Sequence, residues 1–292
     1  MSTDLEALNT PVMRQFLEIK ELHPDAILFF RMGDFYEMFL EDAKEAAAIL
    51  DITLTKRQNQ IPMAGIPYHA TESYIARLIN AGKKVVVCEQ TKSEDPKAKI
   101  MSREVVRIIT PGTVVEDNLI GSFQNNYLSL IYAEKKYVYI AFADVSTSEL
   151  IYFYLPIADT DRIKDTIQRF SPRELLFSED SAKYIPDFHL EQKVSLTPVK
   201  SEFLPDKSSK GIDTVVHVLD AYLKYNYRKH DFKFKSPRLI DEAEFLGLDE
   251  RTIEHLELVN NDNNKNHTLF SVLNRCITSL GKRYLKQRIL FP

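Results

Sequence analysis

The sequence contains no tryptophan, and its 292 residues include only two cysteines. Cys88 and Cys276 are far apart in the chain and cannot form a disulfide framework, which fits a reducing compartment. No apolar run approaches the roughly 18 residues that a membrane-spanning helix needs. The N-terminal stretch MSTDLEALNT is polar and lacks the basic and apolar regions of an export signal. We therefore expect a cytoplasmic protein with no membrane partner.

An excess of positive charge is also missing. The formal net charge is −4 and the isoelectric point is near 6.0, so the chain is not a general cationic coating for nucleic acid. Any DNA binding would have to use local basic patches and specific contacts. Hydrophobic residues make up 44% of the sequence and charged residues 27%, which excludes a wholly disordered chain.

Motifs of several enzyme classes are absent from the sequence. It has no G-x-x-x-x-G-K-[ST] phosphate-binding loop, no H-E-x-x-H pair and no C-x-x-C pair, and its seven histidines are scattered. Asp144, at the end of an apolar strand pattern, could be the first carboxylate of a nuclease sheet, but no second carboxylate obviously pairs with it. We expect no catalytic site, metal site or cofactor in this chain, with a nuclease around Asp144 as an alternative.

The order of patterns along the chain predicts an α/β protein of several domains. Strands alternate with helices over residues 1–118, which favours a small mixed sheet packed with helices. A linker is expected at residues 119–125. Residues 126–240 begin with three hairpin-spaced strand runs and continue with helices, which indicates a second α/β domain. Residues 241–292 show Leu-rich, basic helical patterns, among them Leu269–Leu290, and we expect a truncated further domain there.

The most informative stretch is Ile27–Phe39, with the sequence ILFFRMGDFYEMF. A turn is expected at Gly33, and residues Phe35–Phe39 then resume an extended pattern. In a strand, Phe35 and Glu37 would point the same way, about 7 Å apart. Short aromatic strands are usually core, whereas an exposed Phe beside a carboxylate suits a probe that stacks on a base and touches its edge. The residues alone leave both interpretations open.

Segments throughout the chain closely resemble the MutS family. The succession TPVMRQFLEIK, FFRMGDFYEMF, LTKRQ, IPMAGIPYHA, VCEQ and VVRIITPGT is similar to the N-terminal mismatch-recognition domain of MutS proteins. The motif ADVSTSEL resembles part of their connector domain. LGLDERTIEHLELVNN and KNHTLFSVLNRCITSLGKRYLKQRILFP resemble the start of their core.

This resemblance implies a small mixed-sheet domain, then an RNase H-like α/β connector without a nuclease role, then the start of an all-α core. It also implies recognition of mispaired or unpaired bases in double-stranded DNA as the first step of mismatch repair. Full-length family members carry an ATPase domain that uses ATP and Mg²⁺ and forms the homodimer interface, and their connector binds a downstream repair factor. We therefore expect an N-terminal fragment. The alternative is a fragment that docks a repair partner and does not bind DNA by itself.

The resemblance further implies the residues of a DNA-binding site. Phe35 would wedge into the minor groove, stack on the mispaired base and kink the DNA, while Glu37 hydrogen-bonds that base. Met32 and Asp34 flank this probe and would support it. Basic residues near the wedge would hold the DNA backbone: Arg57, Arg107, Arg103, Lys97 and Lys99.

Overall fold

The structure is a computed structural model that describes residues 10–57, 61–91, 101–114, 126–188, 194–205, 209–228, 232–241, 245–246, 248, 250–259 and 267–292. The chain divides into two compact units. The first contains residues 1–114 and 222–232, and the second contains residues 115–221 and 233–292. Each unit holds one mixed β-sheet, which confirms the predicted mixed α/β class. Within the described ranges, no helix is both long and apolar enough to cross a membrane.

The first unit is built on a six-stranded mixed sheet. Its strands are β1 (Ala26–Met32), β2 (Phe35–Phe39), β3 (Thr55–Arg57), β4 (Ile61–Pro67), β5 (Lys84–Thr91) and β6 (Ser102–Ile109). Helix α1 (Pro11–Leu22) precedes the sheet in the chain, and α2 (Leu40–Leu50), α3 (Thr71–Asn80) and a 3-10 turn at Tyr68–Ala70 come between its strands. The strand order is β3-β4-β2-β1-β5-β6, in which β1 and β5 run parallel and the other neighbours antiparallel.

Local sequence signals account for the start of this unit. The Thr10 hydroxyl accepts the Met13 amide at 3.4 Å, and Pro11 is the first helical residue, so α1 begins as the sequence predicts. Gly33 has a φ of 59°. A two-residue hairpin turn requires a positive φ at its first position, and Gly33 supplies it between the paired residues Met32 and Phe35.

Helix α1 packs on one face of the sheet and contacts β1 and β6. Phe16 packs edge-on against Phe30 and Phe39, with ring centroids 5.8 and 5.1 Å away. These rings belong to a buried cluster that includes Leu28. Helix α2 contacts β1, β2 and β4, and α3 contacts β4 and β5. Phe35, at the end of the β1–β2 hairpin, lies outside the cluster.

The second unit contains another six-stranded mixed sheet. Its strands are β7 (Tyr127–Glu134), β8 (Tyr137–Asp144), β9 (Glu149–Pro156), β10 (Glu174–Phe177), β11 (Ser195–Pro198) and β12 (Arg238–Leu239). The helices after β9 are α4 (Thr160–Phe170), α5 (Ile212–Tyr227), α6 (Glu250–His255), α7 (Leu269–Leu273) and α8 (Ser279–Leu290), with 3-10 turns at Glu179–Tyr184 and Ser201–Phe203. The end of α5, from Tyr222 on, belongs to the first unit.

The order of this second sheet is β11-β10-β7-β8-β9-β12. Strands β7, β8 and β9 are consecutive antiparallel hairpins, as their spacing predicts. Strands β10 and β11 extend the sheet in parallel beyond β7, and β12 pairs in parallel with β9. The core includes Phe142 stacked on Phe170 with ring centroids 4.0 Å apart, so α4 is fixed on the sheet by aromatic packing.

The prediction of one helical stretch over Leu269–Leu290 is wrong in its middle. The chain leaves the helix after Leu273 and begins α8 at Ser279, where the Thr278 hydroxyl accepts the Gly281 amide at 3.1 Å. A side-chain oxygen at this position satisfies an amide that a continuous helix would pair internally. Two short helices replace the predicted one for this reason.

The chain returns to the first unit at residues 222–232, before β12 is added to the second sheet. Tyr225 packs against the buried cluster around Phe30, and the Tyr227 hydroxyl donates to the carbonyl of Thr113. The predicted linker at 119–125 lies outside the described residues. The domain boundaries predicted from the sequence therefore stay predictions.

Candidate nucleic-acid interface

The tip of the β1–β2 hairpin is held by interactions on one side of the turn. Arg31 Nε donates to the carbonyl of Gly33 at 2.6 Å. The Arg31 guanidinium lies 4.0 Å from the centre of the Tyr68 ring and 5.4 Å from that of Tyr36. The Tyr68 amide donates to the carbonyl of Asp34 at 3.0 Å. The turn is thus fixed by a guanidinium between aromatic rings and by a backbone bond to the next strand.

Phe35 and Glu37 lie on one face of β2. The Phe35 side chain is exposed, with 48% of its surface accessible, whereas Tyr36 and Met38 are buried. A Cβ atom added to Gly65 would lie 4.0 Å from Phe35 Cδ1 and 4.0 Å from Glu37 Cγ, so both side chains stand over Gly65. The exposed ring and the shared face are the geometry that the alternation predicts. Contact of this pair with DNA stays a prediction.

The Glu37 carboxylate is half-buried and paired with arginine. Its Oε2 atom accepts a hydrogen bond from Arg57 Nη1 at 3.0 Å, and 20% of the side chain is exposed. Burial raises the pKa of Glu37, and it outweighs the charges of Arg57 and Arg103, which lower the pKa. Burial therefore favours the protonated form of this carboxyl group, while the arginine charges favour its ionised form.

Of the residues predicted to contact the DNA backbone, Arg57 lies beside Phe35 and Glu37. It sits on the edge strand β3 with 26% of its side chain exposed, and its guanidinium is 5.6 Å from the centre of the Phe39 ring. The structure thus joins Arg57 to Glu37 in one charged pair. Sequence reasoning named both residues but missed their pairing.

Arg103 is placed differently from the prediction of a DNA-positioning contact. It is buried, and its guanidinium donates to the carbonyls of Arg31 at 3.0 Å and Met101 at 2.8 Å. It also contacts Gln15 Oε1 at 3.4 Å and Met32 Sδ at 3.0 Å. In this structure Arg103 therefore supports the hairpin from inside, and a direct bond from it to a phosphate would require breaking these interactions.

The other predicted site residues are less closely grouped. Met32 is half-buried and packs against the cluster on the α1 face, whereas Asp34 is exposed in the hairpin turn. Arg107 is half-buried on β6. Lys97 and Lys99 lie outside the described residues. DNA contact by each of these residues stays a prediction.

Tyr68 is an exposed residue near the probe that the sequence analysis did not single out. It is 46% exposed and follows β4, whose Pro67 pairs with Phe35. The signal that could have found it is the aromatic residue inside IPMAGIPYHA, directly after the strand pattern. On the same side as Arg31, the Tyr36 hydroxyl donates to the Glu89 carboxylate. Burial and Glu89 raise the pKa of Tyr36 to about 12.

Asp144, the residue of the nuclease alternative, has its carboxylate engaged inside the second unit. Oδ1 accepts the Ser146 hydroxyl at 2.6 Å and the Ser146 amide at 3.0 Å. Oδ2 lies 3.5 Å from Arg283 Nη1, and both side chains are almost fully buried. Among the described residues, no group of three His, Cys, Asp or Glu side chains is arranged to hold a metal ion. The described part of the chain therefore shows no carboxylate set of the kind that a two-metal nuclease requires.

Three family models match the chain in sequence order. MutS domain I matches residues 10–118, MutS domain II matches residues 126–220 and MutS domain III matches residues 251–292. The sheet with the Phe35–Glu37 face falls in domain I, and the sheet with Asp144 falls in domain II. These domains define a class of DNA mismatch repair proteins.

Curated relatives agree with this class. The chain is 47% identical over 287 residues to the DNA mismatch repair protein MutS of Leptospira interrogans, covering 98% of this chain and 34% of that protein. It is 37% identical to the MutS proteins of Borreliella afzelii, over 306 residues, and Thermotoga sp., over 301 residues. Each match covers 97% of this chain, and 35% and 37% of those proteins. The chain belongs to the MutS family and spans about a third of the length of these relatives.

Proposed function

We propose that this chain recognises mispaired or unpaired bases in double-stranded DNA, as the first step of mismatch repair. The observation that carries the proposal is the exposed Phe35 ring, held on the same face as the Glu37 carboxyl group. Phe35 enters the minor groove and stacks on the mispaired base, which kinks the duplex. The turn at Gly33, with its positive φ, and the Arg31–Tyr68 contact support the ring from the protein side.

A stacking ring suits a protein that must recognise many different mismatches. Stacking of a base on an aromatic side chain contributes about 1–3 kcal/mol and does not depend on which base is stacked. Discrimination then comes from the DNA, because a mispair costs less to unstack and kink than a paired step, by on the order of a few kcal/mol. Phe35 therefore tests how easily the duplex deforms.

Glu37 adds selectivity through its charge. As a carboxylate it is repelled by phosphates, and this repulsion penalises binding to perfect duplex. Against a mispaired base it accepts a bond from a base donor, or it donates a bond when protonated. We expect Glu37→Ala to tighten binding to matched duplex while the preference for mismatched duplex falls.

The decisive experiment compares the affinity of protein expressed from the complete open reading frame for mismatched and matched duplexes. We expect Phe35→Ala to abolish the preference, a loss of about 1–3 kcal/mol or roughly fivefold to 150-fold in the affinity ratio. Leu22→Ala removes an even more exposed apolar side chain from α1 of the same unit and should leave the ratio unchanged. Equal ratios for Phe35→Ala and wild type would refute the function.

We further propose that the second unit is an RNase H-like connector and that residues 241–292 start an all-α core. The three antiparallel hairpin strands, followed by two strands parallel to the first, support the connector fold. The helices α6, α7 and α8 support the core. A homodimer and an ATPase that uses ATP and Mg²⁺ are proposals for a longer protein. No phosphate-binding loop motif occurs in this sequence.

A second candidate function is docking of a downstream repair factor by the second unit, with no independent DNA binding. It is favoured by exposed tyrosines on neighbouring strands β8 and β9: Tyr137 and Tyr154 are 43% and 47% exposed, with ring centroids 5.4 Å apart. Exposed aromatic rings are enriched at protein interfaces. Tyr154→Ser should weaken binding of a repair protein in pull-down assays and leave the DNA affinity ratio unchanged.

A further inference from the structure

The Arg57–Glu37 pair joins two strands that are not neighbours in the sheet. Arg57 lies on β3 and Glu37 on β2, with β4 between them. Adjacent strands are about 4.8 Å apart, so the long arginine side chain spans β4 to bring Nη1 within 3.0 Å of Glu37 Oε2. The pair therefore lies across the face that presents Phe35, where it would meet a bound duplex.

From this geometry, and resting on the function proposed above, we propose that Arg57 and Glu37 form an ion-pair latch. The latch is closed in the DNA-free protein. When mismatched DNA binds, the Arg57 guanidinium leaves Glu37 and binds a phosphate. Glu37 then takes up one proton from solvent and donates a hydrogen bond to the base stacked on Phe35. Arg57 is the positioning residue of this latch, and Glu37 is the group that touches the base.

Competition from DNA explains why the latch opens. Phosphates are a dense row of negative charge, and an arginine binds a phosphate through paired N–H donors as well as it binds a carboxylate. Glu37 cannot follow, because its own charge is repelled by phosphates. An unpaired carboxylate in a partly buried site next to like charges favours its protonated form.

Neither of the other arginines near the hairpin can replace Arg57. Arg103 acts on the Glu37 charge from β6, but its donors are directed to the carbonyls of Arg31 and Met101. Arg31 pairs across the hairpin with Tyr36 rather than with Glu37, so its side chain is on the opposite face, near Glu89. Among the described arginines near Glu37, Arg57 is thus the one whose guanidinium bonds the carboxylate.

The closed latch can be tested without DNA. Nuclear magnetic resonance of labelled glutamate carboxyl carbons follows the titration of Glu37 in wild type, Arg57→Gln, Arg57→Lys and Lys56→Gln. We expect Arg57→Gln to raise the pKa of Glu37, and Arg57→Lys to restore much of the wild-type value. Lys56→Gln is the matched control, since it removes the same charge from the exposed neighbouring residue of β3, and it should leave the titration of Glu37 unchanged.

The opening step is tested by calorimetric binding of mismatched duplex in two buffers of different ionisation enthalpy, using protein from the complete open reading frame. Wild type and Lys56→Gln should take up about one proton on binding, so affinity falls as the pH rises. Arg57→Gln should take up less, because its Glu37 is already more protonated. For Arg57→Gln, the slope of log affinity against log salt concentration should also be shallower by about 0.9, the equivalent of one phosphate contact.

Two results would overturn the latch alone. One is an unchanged Glu37 titration in Arg57→Gln, and the other is mismatch binding by wild type with no proton uptake. Either result is compatible with a loss of mismatch preference in Phe35→Ala, so the proposed function would stand. Wild-type protein that binds mismatched and matched duplex equally would overturn both the function and the latch.

Discussion

Glu37 and Gly65 lie directly opposite each other in the antiparallel pair β2–β4. Because Gly65 has no side chain, the surface beneath Glu37 and the Phe35 ring is bare backbone. A Cβ atom there would lie 3.7 Å from the carbonyl oxygen of Tyr36 and 4.0 Å from the two probe side chains. These are ordinary contact distances, so a methyl group fits, whereas a larger side chain would reach further over the face that carries Phe35 and Glu37.

This relationship predicts different effects of two substitutions at Gly65. Gly65→Ala should keep mismatch preference and raise the free energy of unfolding by up to ~1 kcal/mol, because alanine restricts the unfolded chain. Gly65→Leu should push the Phe35 ring or Glu37 out of place and reduce the mismatch preference about tenfold, within the range of lost stacking. Affinity ratios and urea unfolding of both variants measure these effects. Equal affinity ratios for the two variants would contradict the prediction.

The raised pKa of Glu37 predicts a pH-dependent stability difference. The folded protein holds this proton more tightly than the unfolded chain, so the contribution of Glu37 to stability is present at low pH. It is lost as the pH rises through the raised pKa. Relative to Glu37→Gln, wild type should therefore become less stable as the pH increases from below the ordinary carboxyl range, and then level off. Urea unfolding across this range measures the difference, and a difference of opposite slope would contradict it.

The Asp144–Arg283 pair predicts a large loss of stability in the second unit. Removing one partner of a buried ion pair leaves an uncompensated charge and costs about 3–5 kcal/mol. Arg283→Met should lower the free energy of unfolding by an amount in the lower part of this range, since Ser146 still bonds Asp144. Arg288→Met changes an exposed arginine on the same helix and should cost under about 0.5 kcal/mol. Equal unfolding midpoints of the two variants would rule out a stabilising pair.

The two cysteines should differ in reactivity. Cys88 is fully buried on β5, and burial, with Glu89 adding to it, raises the pKa of its thiol to about 12. Because the thiolate is the reactive form, iodoacetamide at mildly alkaline pH should alkylate partly exposed Cys276 first. Peptide mass spectrometry of native and denatured protein measures both rates. Fast alkylation of Cys88 in native protein would show that the first unit opens locally.

Much of the first unit could be predicted because its signals are local. The Thr10–Pro11 pair marks the start of α1, and the glycine at position 33 marks the hairpin turn. Within β2, alternation alone puts Phe35 and Glu37 on one face. These features depend on residues a few positions apart, which a sequence displays directly.

The rest depends on register between distant strands. Arg103 is opposite Gln90 only because the β5–β6 register shifts between Val87 and Cys88, and this shift decides which β6 side chains are buried. The Arg57–Glu37 pair likewise requires β4 to insert between β3 and β2. No local pattern specifies either arrangement, so a basic residue near the probe could be recognised but not assigned to solvent or interior.

The return of the chain at residues 222–232 has a practical consequence for anyone who dissects this protein. An excised product ending near residue 118 would lack the Tyr225 ring that packs beside Phe30 and the Tyr227 hydroxyl that caps the Thr113 carbonyl. The packing of the first sheet is therefore completed by a segment at residues 222–232, which is encoded about a hundred residues downstream. A stable minimal fragment would need that segment as well.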